Sequence, residues 1–326
     1  MSNKKIANVG GQALIEGILM RGPDSSAMSV RLPNGEIQTE KKEFKQLKDK
    51  YKICGVPFIR GIISFVESMI IGYKSLMESA EIAGSEEEEN MSKLDKWIDE
   101  KFGDRLMSIV GVISSILGLA LSLAIFFYLP AYLVDVGDKY LAHNTLENLH
   151  PLFEGILKII IFIAYVAIVS QMKDIRRVFM YHGAEHKTIF CYENGEELTV
   201  ENVRKFKRFH PRCGTSFIFL LMIIGILVST ILVVAIPILS DIRWLWILVK
   251  ILILPVVMGI GYEYIRYAGS HENMVTKIIS APGLWIQRLT TKEPTDDIIE
   301  VGIESLKAVI DKDLNDESPI KEEDSQ

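Results

Sequence analysis

Two histidines four residues apart sit in the run His182-Gly183-Ala184-Glu185-His186. On a helix they share a face and can present two imidazoles to one divalent ion, most naturally zinc. Glu185, beside the second histidine, is placed to polarise or deprotonate a water, and the order His-x-x-Glu-His is the inverted zincin pattern. A catalytic zinc site needs a third protein ligand and one open position. His210 and Cys213, three residues apart in His210-Pro211-Arg212-Cys213, can supply it if the chain folds back. With all four bound the site is closed and structural; with one outside the shell, water can enter and hydrolysis becomes accessible. Arg212 is the candidate for stabilising developing anionic charge, so Glu185 and Arg212 are the expected catalytic pair. Glu263, His271 and Glu272 are alternative ligands. The plainer readings are histidines hydrogen-bonded within an interface and a Cys213 that packs in a core.

The elements that must position these residues belong to a membrane. In a chain of 326 residues with formal charge -6, residues 106–134 and 214–240 carry no charged side chain. Each run is long enough to cross a hydrocarbon layer as a helix. Residues 155–172, interrupted by Lys158, and 244–262, interrupted by Lys250, are two further candidates, with each lysine near one end and able to snorkel. Asp135–Glu154 holds a single Lys, whereas Lys173–Ser216 holds nine Lys or Arg residues. The positive-inside rule puts the second loop, with its histidines, in the cytoplasm together with both termini. The chain reads as a multi-pass protein of a cytoplasmic membrane.

Around the spans, residues 1–105 form a cytoplasmic or membrane-proximal region, 106–262 a four-helix membrane domain carrying the 173–216 loop, and 263–326 a cytoplasmic C-terminal region. Met28–Leu32 alternates like a strand and Pro33-Asn34-Gly35-Glu36 like its turn, so a small sheet is expected near 25–55. Gly10–Gly22 reads as glycine-permitted turns. Pro57–Ile82 has helical apolar spacing but includes Arg60 and Glu67, the mark of an interfacial or re-entrant helix. Ser85–Asn90 is an acidic linker, Ser280–Trp285 a turn with an aromatic anchor, and 296–311 an amphipathic helix before an acidic tail. The fold class is therefore mainly α: a polytopic helical membrane protein with about four spans, one interfacial helix and a small N-terminal β region.

Glu16, Arg21, Glu67, Glu263, His271 and Glu272 could together line a polar pocket. The plainer reading pairs charges locally, Glu16 with Arg21, Glu67 with Arg60, and Glu263 with Arg266. Cys54, Cys191 and Cys213 give no disulfide framework. The glycines lack the strand–loop–helix context of a nucleotide site, and the basic loop is explained by anionic lipid without nucleic acid.

Long motifs carry a family resemblance: Gly11-Gln12-Ala13-Leu14-Ile15-Glu16-Gly17, Tyr181–Thr188, His210–Ser216 and Pro282–Gln287. The chain resembles the bacterial DUF1385 family of membrane proteins, sometimes labelled metal-dependent enzymes. The resemblance spans most of the chain and implies polar motifs that meet at the cytoplasmic face. The expected function is a membrane-associated metal-dependent hydrolase acting on a lipid or membrane peptide. The alternatives are a noncatalytic structural or regulatory protein with a structural metal site, contacting membrane lipid and another membrane protein, and a transporter.

Overall fold

The computed structural model describes residues 9–23, 25–43, 51–84, 113–142, 149–271 and 273–315. The acidic linker, the acidic tail and Glu272 lie outside the described residues. Four antiparallel strands, β1 (Gly10–Leu14), β2 (Gly17–Arg21), β3 (Ser25–Arg31) and β4 (Ile37–Glu43), form a meander in sequence order. The sheet thus starts earlier than the alternation at Met28–Leu32 indicates. Gly10–Gly22, read as turns, supplies two of its strands. The β1–β2 connection is two residues, Ile15 and Glu16, with Glu16 at φ 51. A non-glycine residue there is strained, and its carboxylate is gripped by Arg177 while Tyr181 Oη donates to it at 3.1 Å. The Leu32–Glu36 turn closes as expected, with Gly35 at φ 89.

The sheet is covered on both faces. Ile18, Met20 and Ala27 face a core shared with α4 (Lys173–Glu193) and α9 (Asp296–Asn315), through Tyr181, Ala184, Ile298, Leu306 and neighbours. Leu14, Leu19, Met28 and Val30 face α1 (Ile59–Gly84) through Ile71, Leu76 and Ile82. Alternate residues of β2 therefore serve opposite cores. Each fully buried aliphatic contributes about 1.5–3 kcal/mol. The buried Ser305 hydroxyl lies 3.0 Å from the Ile18 carbonyl and 2.9 Å from that of Ala27, tying α9 to two strands.

Among the described residues, four helices are long and apolar enough to span a membrane: α2 (Ile113–Tyr140), α3 (His150–Val169), α6 (Gly214–Ala235) and α7, whose span is Leu245–Ala268 within Arg243–Ser270. The polar stretch after residue 262 continues α7 instead of ending it. Lys158 and Lys250 do not simply reach for headgroups, since both pair with Glu154 on α3. Between α4 and α6 lies the short α5 (Val200–Arg204). Ser280–Trp285, read as a turn, lies within the continuous helix α8 (Met274–Thr290), which packs on α6 and exposes Met274, Val275, Ile278 and Trp285.

Helix α1 packs against α7 and the sheet. It buries Gly61, Gly72, Ser75 and Ser79 and exposes Val66, Met69, Ile70 and Tyr73. Burying small residues while large ones point outward is the packing rule of helices in lipid, where close backbone approach replaces the hydrophobic drive. A Cβ on Gly61 would stand 2.7 Å from Tyr262 Cβ. Gly61→Val should therefore lower stability by about 1–3 kcal/mol, seen as a depressed melting temperature of the detergent-purified protein. An unchanged temperature would contradict this packing.

Candidate metal centre

The site is built on α4, whose residues 181 and 183–189 are buried together with Cys191. Two glycines make that burial possible. Gly183 faces the Lys292 carbonyl oxygen so closely that a Cβ would collide with it. This approach docks the strap after α8 onto the helix, where Lys292 N–H donates to the Phe179 carbonyl at 2.7 Å. On the sheet side, a Cβ on Gly11 would lie 2.6 Å from Glu185 Cγ, so β1 must pass bare beside that carboxylate.

One turn apart on α4, His182 and His186 stand with ring centroids 4.4 Å apart. His182 Nδ1 lies 2.9 Å from the Thr290 carbonyl and His186 Nδ1 lies 2.6 Å from the Arg208 carbonyl. A carbonyl only accepts, so each Nδ1 carries a proton and each Nε2 is the nitrogen that can ligate once its ring is neutral. Cys213, at the N-terminus of α6, closes the group: its Sγ is 3.2 Å from His182 Nε2. Ligand atoms of His182, His186 and Cys213 all lie within 4.8 Å of one another, a group that could hold a metal ion. Glu185 Oε2 lies 3.8 Å from His182 Nε2 and 3.9 Å from His186 Nε2.

His210 is brought alongside but turned to other work. Its ring centroid is 5.5 Å from that of His186, its Nδ1 accepts from Arg212 N–H at 3.2 Å, and its Nε2 is 3.8 Å from Glu193. It lies outside the three-residue group. Arg212 forms an ion pair with the same Glu193. Gln287 on α8 grips the His210 backbone from both sides, accepting from its N–H and donating to its carbonyl, each at 2.7 Å, and its Nε2 also lies 2.7 Å from Ser216 Oγ. Sequence spacing singled out neither Gln287 nor Glu193. A buried glutamine among apolar helix positions is the signal that could have found the first. Lys187 and Arg208 pair with Glu293 in the strap, a second tie between α4 and the segment after α8.

The other described pocket candidates are not part of the three-residue group, and the partners of Glu16, Arg21 and Glu263 are distant in sequence. Glu16 is held by Arg177, not by its neighbour Arg21, which donates to Ser68 at 3.1 Å and has the charge of Glu67 beside it. Arg60 pairs with Glu263 of α7 in place of Glu67. Exposed His271 stacks on Tyr267, and its Nδ1 lies 3.2 Å from the Tyr267 carbonyl. Tyr181, which donates to Glu16, is fully buried.

The cluster polarises its own members. Burial alone would lower the His182 pKa, but the adjoining Cys213 and then Glu185 lift it to about 9. Burial opposes thiol ionisation, yet His182 and His186 hold Cys213 well below the usual thiol range. Burial and the neighbouring His186 lower His210 to about 4. The ion-free cluster is thus a thiolate beside an imidazolium. The thiolate is ready to ligate; His182 must first lose a proton. Affinity for a divalent ion should therefore rise about tenfold per pH unit up to about 9 and level off above it. Titration against a chromophoric chelator between pH 6 and 10 checks this, and a flat profile would contradict the pairing. Gly183→Ala, which pushes away the strap bearing the Thr290 carbonyl, should weaken the same affinity about 10–100-fold. Wild-type affinity in that variant would show that the strap does not orient His182.

The profile of a family described as a protein of unknown function, DUF1385, matches residues 56–312. An uncharacterized protein of Bacillus subtilis (strain 168), YqhQ, is 33% identical over 314 residues, covering 95% of each chain. No solved structure matches. With this profile match, that relative and four helices able to cross a bilayer, the chain belongs to the DUF1385 family as a multi-pass membrane protein.

Proposed function

We propose that this protein is a metal-dependent hydrolase of the membrane surface, with its cluster on the cytoplasmic side and a lipid or membrane peptide as substrate. The observation that carries the reading is the placement of Glu185. Its carboxylate stands within 4 Å of both imidazole Nε2 atoms that converge with Cys213. Two imidazoles, once His182 has given up its proton, and a thiolate are donors that would suit zinc, and three protein ligands would leave room for a water.

A divalent ion held by His182, His186 and Cys213 would supply Lewis acidity and make a neighbouring water easier to ionise. Glu185 takes a proton from the attacking water as its oxygen bonds to the scissile carbonyl or phosphoryl centre. The same carboxyl then delivers the proton to the departing group as the scissile bond breaks. Gly11 allows β1 to shield that carboxylate, and the carbonyls of Thr290 and Arg208 hold both imidazoles in the ligating tautomer. The apolar residues exposed on α8 offer a surface that would lie in lipid beside the site.

Burial favours a second reading. Glu185, His186 and Cys213 are each less than a tenth exposed, and Glu185 is near enough to become the fourth ligand itself with a small side-chain rotation. The site would then be closed and its role structural. Glu185→Gln separates the two readings. For a hydrolase, the variant keeps the wild-type metal content and loses about 10²–10⁴-fold in turnover of a fluorogenic phospholipid ester or a quenched membrane peptide. For a closed shell, metal content itself falls, and azide fails to perturb the visible spectrum of the cobalt-substituted wild type. Undiminished turnover in the variant would refute the role of Glu185.

A further inference from the structure

Helix α1 starts well short of the end of the span beside it. Phe58, just before α1, stands against Gly259 of α7, where a Cβ would come within 2.8 Å of Phe58 Cδ1 and 3.1 Å of Phe58 Cα. Gly61 stands in the same way against Tyr262. An equal advance along both helices keeps them in step, so α1 begins at the level of Gly259 and runs in the direction of α7. From Gly259 to the end of the span at Ala268 is roughly 14 Å at the rise of an α-helix. One turn further on, the Phe65 ring lies 5.7 Å from that of Phe217, in the first turn of the span α6.

The chain enters and leaves this level from one side. Lys42 of β4 donates to Glu78 of α1 at 2.8 Å, and the Gln12 side chain of β1 lies against Gly72. The chain is thus beside the sheet at Lys42, level with Gly259 at Phe58, and beside the sheet again by Gly72. That path returns without crossing. Backbone at such depth is tolerated only where protein meets its polar groups, and here it does. Arg60 N–H donates to the Val56 carbonyl at 2.9 Å and Gly61 N–H to that of Phe58 at 3.1 Å. The Glu263 carboxylate accepts from Phe58 N–H and from Arg60 Nε, the latter at 2.7 Å, so the charge that goes down with the chain is paired. Phe58 itself has φ 67, a strained conformation for a bulky residue, which persists only where its surroundings impose it.

The outward side of this turn is apolar. Val56, Phe58 and Ile59 are 46, 50 and 38% exposed, at the level where α7 also exposes Val256 and Ile260. The turn therefore continues the lipid-facing surface of a span. We infer that residues 55–59 are the tip of a re-entrant wedge seated in the leaflet on the sheet's side, with lipid acyl chains packed on Val56, Phe58 and Ile59. Seated there, the wedge anchors the sheet, including the β1 backbone beside Glu185, against the bilayer. The proposal is independent of any chemistry at the histidine–cysteine cluster.

Fluorine magnetic resonance of the full-length protein in phosphatidylcholine–phosphatidylglycerol nanodiscs tests it. A trifluoromethyl-phenylalanine reporter is placed singly at Phe58, Ile59, Tyr73 and Lys307, the last on the exposed face of α9. Two agents broaden the signals: a water-soluble nickel chelate, and a phosphatidylcholine with a nitroxide midway along its acyl chain. At positions 58 and 59 the nitroxide should broaden the signal strongly, and the chelate at least about fivefold less than at position 307. Position 73, higher on α1, should respond less to the nitroxide than position 59. If the reporter at the strained Phe58 prevents folding, Ile59 carries the test. Chelate broadening at 59 equal to that at 307 would put the tip in water and overturn the wedge. Broadening by neither agent would mean that protein, such as a second copy of the chain, covers the tip, and would overturn lipid as its partner. Equal nitroxide broadening at 59 and 73 would lay α1 along the surface and overturn the re-entrant path.

Discussion

Everything at the histidine–cysteine cluster depends on two hydrogen bonds from imidazole to backbone. His182 is aimed by the Thr290 carbonyl and His186 by the Arg208 carbonyl, segments that reach α4 from different parts of the chain. An imidazole on an otherwise unconstrained helix face has two tautomers and a rotatable ring. Fixing Nδ1–H on a carbonyl removes that freedom and directs Nε2 at a shared point. The strap that brings Thr290 can dock only because Gly183 has no side chain, and the segment that brings Arg208 is anchored by Gln287 on the neighbouring His210 peptide. The motifs at 181–188, 210–216 and 282–287 are thus one physical unit. The motif at 11–17 joins them through the bare β1 backbone beside Glu185 and the Glu16 carboxylate held by Arg177 and Tyr181.

What the sequence made legible follows from the range of the interactions. The spacing of His182 and His186 is a helical repeat, so their shared face could be read directly, and charge-free runs disclosed the spans. Cys213 was a reasonable third ligand for its type and place near the start of a span. His210 looked equally good, but its backbone is clamped by a residue 77 positions away, and its Nδ1 is taken by the local Arg212 N–H. Spacing carries no information about such a clamp. Two of the three local charged pairs gave way for the same reason: Glu16–Arg177 and Arg60–Glu263 join elements 161 and 203 residues apart, whereas local reading offers only near neighbours; Arg266 does bring its charge to bear on Glu263. Strand β2 hid because both of its faces are buried, which removes the polar–apolar alternation that marks a half-exposed strand.

The two halves of the molecule obey different packing physics. In the sheet-and-helix body, large aliphatics point inward and small polar residues such as Ser305 secure buried carbonyls. In the bundle, large aliphatics point outward and Gly155 lets α3 meet Ile226 of α6, while the charges on the spans are paired, Glu154 with Lys158 and Lys250, Asp138 with His150, and Glu263 with Arg60. The cluster sits where the two regimes join. Cys213 begins a span, His182 and His186 belong to the body, and α8 with its exposed apolar residues packs along α6 next to both. Such a junction holds ligands rigidly on the body while keeping them within reach of the bilayer.

X-ray absorption at the metal edge of the zinc-loaded, detergent-purified protein addresses the central claim most directly. A shell with one sulfur at about 2.3 Å and nitrogen or oxygen neighbours at about 2.0 Å, the sulfur vanishing in Cys213→Ser, is the expected result. A shell without sulfur, or one unchanged by Cys213→Ser, would contradict convergence of His182, His186 and Cys213 on a single ion.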